Sequence, residues 1–318
     1  MSNFLVTGGA GFIGSNICRR LIIDGHYVRV IDNFLTGKKS NIEDIIDRIE
    51  FIEADMGDEK IAFTAMNDID VVLHQGALPS VPLSVDDPAA THKHCADATL
   101  TLLRAARDAG VKRFVYAASS SAYGDSPTMP KVETMPVNPL SPYAIAKLVG
   151  EYYCKVFYEL YNIETVSLRY FNVFGPYQNP ASQYAAAIPA FVMSMLNDKP
   201  PVIYGDGQQS RDFTYVENVV EANLRVALTR RLTGEVMNVA CGEAVTVNQV
   251  IAMINDILGK DIKPIYVEAR QGDVKHSLAD ITRALDIVGY SPIVGFHEGL
   301  KKTIDWYKDT LDAAEGTA

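Results

Sequence analysis

The sequence predicts a doubly wound α/β fold, in which a parallel sheet carries helices on both faces, with a smaller α/β region at the C-terminal end. Strand-like runs alternate with amphipathic runs through the first half of the 318-residue chain. After about residue 175 the alternation loosens into segments rich in Pro, Gly and Tyr, such as GPYQNPASQY. We therefore expect a first domain at 1–175, with later chain crossings, and a second region at 176–318.

The predicted strands are short and mostly apolar. They lie at 4–6, 26–32, 49–55, 70–77, 113–121 and 164–175, and helical periodicity marks 88–109, 216–229 and 246–258. Because parallel strands end at one edge of their sheet, we expect ligands beside the carboxyl ends of these strands.

The composition narrows the class of protein. Hydrophobic residues make up 48% of the chain and charged residues 21%, and no apolar run approaches the length of a membrane span. The N-terminus enters the first strand without a signal segment, so we expect a soluble, cytoplasmic protein with no membrane partner. A net charge of −10 argues against binding to nucleic acid.

The residues that commonly hold metals are poorly arranged for that purpose. The four cysteines are far apart and form no C-x-x-C pair, so we expect neither disulfides nor structural zinc. His92 and His94 do not share a helix face, and we interpret them as solvated polar residues. No metal site is predicted.

Three glycines follow the first strand in FLVTGGAGFIGSN, residues 4–16. Gly8, Gly11 and Gly14 lie at a strand-to-helix turn, where a helix N-terminus and close backbone approach suit a pyrophosphate. Phe12 and Ile13 begin the helix and are assigned to the same cofactor site. The pattern predicts a Rossmann-type dinucleotide site, although a tight turn rich in glycine is the alternative.

The next two strands end in polar residues that suit an adenosine. Asp32 is the last residue of the second strand and lies 18 residues after Gly14. In dinucleotide-binding folds a carboxylate at about this position binds the ribose hydroxyls of the adenosine. Asn33 follows without a neighbouring arginine, which favours NAD over NADP. Asp55 and Met56 end the third strand and could hold the adenine, although Asp55 could instead cap the helix that begins at GDEK.

A tyrosine and a lysine stand four residues apart in SPYAIAKLVGEYY, which becomes helical after Pro142. We expect the Lys147 ammonium to lower the pKa of Tyr143, which would make Tyr143 a general base and acid. Ser119, Ser120 and Ser121 end a strand nearby and could hold a reacting oxygen. A surface Tyr–Lys pair and a polar turn are the alternatives.

Several motifs together resemble one family. They are TGGAGFIGS, YAASSSAYGD, SPYAIAK, LRYFNVFGPYQ, IYGDGQQSRDFTYVENVVEA and GDVKHSLAD. In this order, from about residue 3 to 308, they are similar to the extended short-chain dehydrogenase/reductases, and most to the nucleotide-sugar 4-epimerases.

The resemblance implies a role for each matching residue. Tyr143 would be the catalytic base, Lys147 would hold the nicotinamide ribose, and Ser119 would lie beside the sugar hydroxyl. Substrate contacts would come from Ser80, Ser120, Ser121, Asn172, Tyr184, Arg211, Arg270, Asp273 and Ser277. The implied reaction oxidises C4 of a UDP-sugar to a ketone with NAD, turns the sugar over and reduces it from the other face.

The resemblance also bears on the sugar. Ser277 matches a position where a small residue accompanies N-acetylated substrates, so we expect UDP-GlcNAc and UDP-GalNAc, with UDP-Glc and UDP-Gal as further candidates. Three residues depart from the family pattern: Gly76 replaces an alanine, Cys95 an asparagine and Ala98 a glycine.

Three other functions remain open from the sequence. A 4,6-dehydratase or decarboxylase is disfavoured, because dehydratases carry an acidic pair where this chain has Ser120 and Ser121. A UDP-uronic acid 4-epimerase needs only a carboxylate site, and a non-catalytic NAD-binding regulator would not need the Tyr143–Lys147 pair. The resemblance further implies a homodimer, formed through helices near 88–109 and 141–160.

Overall fold

The computed structural model describes residues 1–180, 186–269 and 275–315. Its strands are β1 Asn3–Thr7, β2 Tyr27–Asp32, β3 Glu50–Glu53, β4 Val71–His74, β5 Arg113–Ser119, β6 Glu164–Tyr170, β7 Val173–Phe174, β8 Val202–Tyr204, β9 Ser210–Arg211, β10 Thr214–Tyr215, β11 Glu235–Val239, β12 Val245–Thr246 and β13 Ile265–Val267. Its helices are α1 Phe12–Ile23, α2 Glu59–Ala65, α3 Val81–Asp86, α4 Pro88–His92, α5 Ala98–Asp108, α6 Pro142–Tyr161, α7 Ala187–Leu196, α8 Val216–Leu228, α9 Val247–Leu258, α10 Thr282–Val288 and α11 Phe296–Glu315.

Seven strands form one parallel sheet in the order β11-β6-β5-β4-β1-β2-β3. The chain therefore reverses direction across the sheet after β3, and the crevice beside β1 and β4 lies at that switch point. This arrangement confirms the predicted doubly wound α/β fold. The predicted strands form close to their expected boundaries, except that the run at 164–175 is divided: β6 ends at Tyr170, and β7 pairs with β10 outside the main sheet.

Successive side chains along the sheet strands point to opposite faces of the sheet, and each face is covered by helices. Phe4 and Val6 of β1 face a core that includes Ile17 of α1 and Val219 of α8. Leu5 points to the opposite face, where it joins residues of α2, α5 and α6. The period of two along each strand thus separates two cores, one on each side of the sheet.

A third core lies outside the sheet and belongs to the C-terminal part of the chain. Phe174, Phe213 and Phe296 pack together there with α7, α9 and α11. Helix α8 and strand β11 lie beyond residue 175 but pack on and within the main sheet. The division at 175 stays a prediction, and the later chain includes the crossings that it allows.

The predicted helix at 88–109 is interrupted. Helix α4 passes into a π-helical turn, Lys93–Asp97, before α5 begins. Such a turn holds one extra residue and changes which side chains face inward. We call this segment the π-turn; it places Cys95 in a buried cluster with Leu78 and Ala146.

Helix α6 carries both Tyr143 and Lys147, and local signals define its start. Ser141 caps it by accepting a hydrogen bond from the Ala144 N–H at 3.1 Å, and Pro142 follows at the first position. A buried ion pair fixes the helix to the sheet. Glu151 accepts two hydrogen bonds from Arg169 of β6, at 2.9 and 2.7 Å.

No helix among the described residues has both the length and the apolar character that crossing a membrane requires.

Replacing Glu151 with glutamine leaves the Arg169 charge buried without its counter-ion. We expect Glu151→Gln to lower the free energy of unfolding by about 3 kcal/mol, measured by urea denaturation at neutral pH. Glu159→Gln is the matched control, because Glu159 lies on the same helix in an exposed pair with Lys155. Equal effects of the two substitutions would contradict a structural role for the buried pair.

Candidate active site

A cavity of about 830 Å³ runs along the carboxyl ends of the sheet strands. Most of the residues predicted to bind the cofactor line it, together with several of those assigned to catalysis and substrate. These are Gly8, Gly11, Phe12, Ile13, Gly14, Asp32, Asn33, Asp55, Met56, Ser80, Ser119, Tyr143 and Asn172. The fold thus brings together residues from distant parts of the chain in one continuous cleft.

The glycine turn leaves no room for side chains. A Cβ at Gly14 would lie 2.1 Å from the carbonyl oxygen of Gly8, and a Cβ at Gly8 would lie 2.7 Å from Gly76 Cα. Gly8 also has a φ of +67°, which favours glycine. Helix α1 begins here without a side-chain cap, so its N-terminus faces the cavity, as a dinucleotide pyrophosphate requires.

Asp32 lies where the adenosine ribose of such a dinucleotide would bind. Its carboxylate accepts hydrogen bonds from the backbone N–H groups of Ala10 and Phe34, at 2.9 and 2.8 Å. Burial raises the pKa of Asp32, and these two N–H donors oppose that shift. They also hold the carboxylate against the glycine turn.

Asp55 and Met56, which are predicted to hold the adenine, both line the cavity. Asp58, not Asp55, caps α2, by accepting from the Ile61 N–H at 3.0 Å. The helix-cap alternative for Asp55 is therefore wrong, and its carboxylate remains on the cavity wall. The interpretation of His94 as a solvated residue is also wrong, because the π-turn directs it into the cavity, 3.8 Å from Asp55.

Gly76, which replaces the alanine of the family pattern, lies against Met56. A Cβ at Gly76 would lie 2.3 Å from the sulfur of Met56. The Met56 side chain therefore occupies the space that an alanine would need, and the two residues meet on the wall of the predicted adenine site.

Tyr143 is half-buried on the cavity wall, beside Ser119. Ser119 accepts hydrogen bonds from the Ser121 N–H at 3.2 Å and from the Ser121 hydroxyl at 2.9 Å. Its own proton is then free to be donated, and a hydrogen bond joins Ser119 to Tyr143. Ser121 therefore acts through Ser119, and neither Ser120 nor Ser121 lines the cavity.

The structure differs from the sequence expectation for the Tyr143 pKa. Burial raises the pKa of Tyr143, as does the nearby Cys95, and the hydrogen bond from Ser119 only partly opposes them. Lys147 is not among the groups that shift this pKa. Its ammonium donates to the Ala117 carbonyl at 2.9 Å and lies 5.0 Å from the centre of the Tyr116 ring.

Lys147 is itself buried behind the cavity wall. Burial lowers its pKa, while Cys95 and Glu151 oppose that shift. Its carbonyl partner on β5 fixes the ammonium beside the sheet edge.

A second cavity, of about 340 Å³, adjoins the first at Asn172, which lines both. Arg211 lines this second cavity and donates to the carbonyls of Ser210 and Lys275, at 3.0 and 3.1 Å. Asn172 has a φ of +34° and donates to the Asp212 carbonyl at 3.0 Å. Strained backbone of this kind is common at binding sites.

The remaining predicted substrate residues differ in where they lie. Ser277 does not line either cavity, and its backbone N–H donates to the Ser210 carbonyl at 3.0 Å. Ser80 lines the first cavity while its hydroxyl caps α3, accepting from the Leu83 N–H at 3.2 Å. Tyr184, Arg270 and Asp273 lie outside the described residues.

Sequence reasoning missed a hydrogen-bonded ring beside the first cavity. Tyr170 donates to Gln75 at 3.1 Å, Gln75 donates to Asn223 at 3.1 Å, and Asn223 donates back to Tyr170 at 2.8 Å. Gln75 and Tyr170 follow and end strands β4 and β6, so their position at strand ends was the available signal.

Within residues 1–180, 186–269 and 275–315, no group of three or more His, Cys, Asp or Glu side chains is arranged to hold a metal ion.

The contact between Gly76 and Met56 gives a test of the adenine wall. We expect Gly76→Ala to displace Met56 and raise the Kd for NAD about tenfold, measured by calorimetric titration. Met56→Ala should make room for the new methyl group, so the pair should be coupled by about 1 kcal/mol in a double-mutant cycle. Gly295→Ala is the control, because nothing lies within 4 Å of its Cβ position. Additive effects would show that the two residues do not share this space.

Comparison with known proteins identifies the family. The model of the NAD dependent epimerase/dehydratase family matches residues 4–240. The UDP-N-acetylglucosamine 4-epimerase of Methanobrevibacter ruminantium M1, solved with UDP-N-acetylmuramic acid, is 42% identical with a TM-score of 0.93, over 97% of this chain and 99% of that one.

Two further relatives extend the comparison. The UDP-glucose 4-epimerase of Mycolicibacterium smegmatis is 35% identical over 309 residues, covering 96% of this chain and 98% of the relative. The UDP-glucuronic acid 4-epimerase of Bacillus cereus, solved with UDP-glucuronic acid and NAD, is 34% identical with a TM-score of 0.89, over 97% of this chain and 99% of that one. The predicted family, the NAD cofactor and the enzyme class, an isomerase, are confirmed. The chain belongs to the NAD dependent epimerase/dehydratase family.

Proposed function

We propose that this enzyme is a UDP-sugar 4-epimerase that interconverts UDP-GlcNAc and UDP-GalNAc, with UDP-Glc and UDP-Gal as further candidate substrates. One observation carries the proposal. Ser119 and Tyr143 face the cavity that the glycine turn begins, and this cavity adjoins, at Asn172, a second one that Arg211 lines. A cofactor, a reacting hydroxyl and a diphosphate can therefore lie side by side.

Tyr143 moves the proton in this mechanism. Its phenolate takes the proton of the sugar C4 hydroxyl, and the phenol returns it after the sugar has turned over. Ser119 has one proton, which it shares with Tyr143 in this structure and would donate to the same sugar oxygen once the substrate is bound. NAD, when bound, accepts the C4 hydride and returns it to the opposite face, so the sugar undergoes no net oxidation.

The raised pKa of Tyr143 sets a condition on this role. Burial disfavours the phenolate, so the phenol needs positive charge nearby before it can act as a base at neutral pH. Lys147 is buried with its ammonium on the Ala117 carbonyl, and only the family pattern assigns it to the nicotinamide ribose.

The diphosphate would bind across the second cavity. Arg211 presents a planar guanidinium there, which matches phosphate oxygens in pairs. Arg270 and Asp273 are proposed as further contacts from the family pattern, as is Tyr184. Ser277 lines neither cavity, and the family pattern alone supports the proposal that it leaves space for an N-acetyl group.

The relatives support more than one sugar. The Methanobrevibacter enzyme is named for an N-acetylated substrate, whereas the Bacillus cereus enzyme acts on a uronic acid. A UDP-uronic acid 4-epimerase therefore remains the alternative proposal, and a substrate panel distinguishes the two.

A homodimer and cytoplasmic residence stay predictions. Helix α6 supports the first, because Ile145, Tyr152, Val156 and Leu160 leave an apolar stripe exposed along it, with Leu160 68% exposed. The expected contact would pair this stripe with that of a second copy.

Replacing the catalytic phenol separates an enzyme from a NAD-binding regulator. We expect Tyr143→Phe to lower turnover at least about a thousandfold, because the base is lost, while the Kd for NAD changes less than threefold. Tyr152→Phe is the matched control on the same helix, where the tyrosine is 56% exposed. Loss of NAD binding in Tyr143→Phe would make Tyr143 a structural residue instead.

The substrate is tested by proton NMR of the C4 isomers. UDP-GlcNAc, UDP-GalNAc, UDP-Glc, UDP-Gal and UDP-glucuronic acid are supplied separately, without added NAD. We expect turnover of the acetylated pair, and a fall of at least about tenfold in the ratio of acetylated to plain turnover in Ser277→Tyr, because the ring fills the acetyl space. Ser277→Ala keeps a small residue and should retain the ratio. Turnover of the uronic acid alone would favour the alternative proposal.

A further inference from the structure

A chain of buried hydrogen bonds connects the floor of the cofactor cavity to the π-turn beside Tyr143. The Gly76 N–H donates to the Thr7 hydroxyl at 3.2 Å, and this hydroxyl lies 2.7 Å from Nδ1 of His74. Nε2 of His74 lies 2.9 Å from the Thr99 hydroxyl, which donates to the carbonyl of Cys95. Thr7, His74 and Thr99 are all buried.

The two ends of the chain determine where each proton lies. The Thr99 proton is used on the Cys95 carbonyl, so the Thr99 oxygen must accept from Nε2, which therefore carries hydrogen. Nδ1 is then the lone-pair nitrogen, and it accepts the Thr7 proton. The Thr7 oxygen in turn accepts from Gly76. If Nδ1 carried the proton instead, the lone pair of Nε2 would face the Thr99 oxygen, whose proton is already donated to the Cys95 carbonyl, and no hydrogen bond would form there.

The charge state agrees with this assignment. Burial, and then the positive charge of Lys147, lower the pKa of His74 to about 3. The ring is therefore a neutral imidazole at the pH at which enzymes of this kind work.

Each end of the chain meets the active site. Gly76 lies against Gly8 and below Met56, so it forms part of the cofactor floor. Cys95 belongs to the cluster that packs against Tyr143, and its neighbour His94 faces the adenine end of the cavity. The π-turn is thus held by its backbone carbonyl while its side chains face the site.

We propose that His74 is a positioning residue of the reaction, and that as an Nε2–H imidazole it fixes the cofactor floor relative to the π-turn and Tyr143. The effect on turnover rests on the proposed function, whereas the effect on NAD does not. Simple packing is the competing role, because His74 also contacts Phe114 and Tyr116 at 5.7 and 5.6 Å between ring centres.

The test removes one hydroxyl and keeps the shape. Thr99→Val leaves Nε2–H and the Cys95 carbonyl without their partner, and Thr99→Ser restores the hydroxyl. Thr303→Val is the matched control, because Thr303 is also fully buried and donates to the carbonyl four residues earlier, at 2.7 Å. Both valine variants should lower the melting temperature, and Thr99→Val should lower it more, because it also leaves the buried Nε2–H without an acceptor.

Of the two valine variants, only Thr99→Val should change NAD binding and turnover. We expect Thr99→Val to raise the Kd for NAD and lower kcat by about tenfold each, with KM for the UDP-sugar unchanged. Thr99→Ser should return both within twofold of the original enzyme, and Thr303→Val should leave both unchanged. Equal NAD affinity and kcat in the two valine variants would overturn the proposal and leave His74 a packing residue.

Nitrogen NMR of the original protein gives a second test that does not depend on any of these threonine variants folding. With ¹⁵N-labelled histidine, His74 should show the neutral Nε2–H pattern and no titration from pH 5 to 9, its signals being assigned from their loss in His74→Gln. Titration in this range, or the Nδ1–H pattern, would overturn the assignment. If the original protein turns over no UDP-sugar, the proposed function fails, whereas NAD affinity and the NMR pattern still decide the role of His74.

Discussion

The close contact between the backbones of Gly8 and Gly76 is the constraint on which the rest of the site depends. These residues follow the adjacent parallel strands β1 and β4, and a Cβ on Gly8 would lie only 2.7 Å from the partner backbone. Gly14 then packs on the Gly8 carbonyl and brings the start of α1 over the cleft. A floor made of backbone has no side chain that can rotate away, so it positions a pyrophosphate rigidly.

The substrate side depends in a similar way on one buried charge. The Asp212 carboxylate accepts hydrogen bonds from the N–H groups of Cys241, Gly242 and Ala279, at 2.9, 3.0 and 3.1 Å. Asp212 directly follows Arg211. Its hydrogen bonds therefore connect the segment of Arg211 to the chain after β11 and to the segment that contains Ser277. Burial raises the pKa of Asp212 to about 6, and these N–H donors oppose that shift. Burying this carboxylate therefore has a desolvation cost, which the three hydrogen bonds partly offset.

Local patterns explain how much of this could be predicted from the sequence. The strands, the glycine turn and the start of α6 depend on residue spacing and caps, and all three form as predicted. The π-turn does not follow from spacing, because 88–109 keeps helical periodicity through the extra residue, and so the orientation of His94 and Cys95 was missed. The Tyr143 pKa was also missed, since a desolvation cost depends on tertiary packing that no spacing reveals.

Burial affects the two ionisable catalytic groups in a related way. It raises the pKa of Tyr143 and lowers that of Lys147, so it favours the uncharged form of each. Cys95 and Glu151 both raise the pKa of Lys147 and so oppose the effect of burial. Glu151 also forms an ion pair with Arg169. Cys95 and Glu151 thus favour the ammonium of Lys147, while no cation among the described residues is one of the groups that shift the pKa of Tyr143. A raised pKa keeps the phenol protonated at neutral pH, and a cation beside it, such as an oxidised nicotinamide ring, would favour the phenolate that removes the proton.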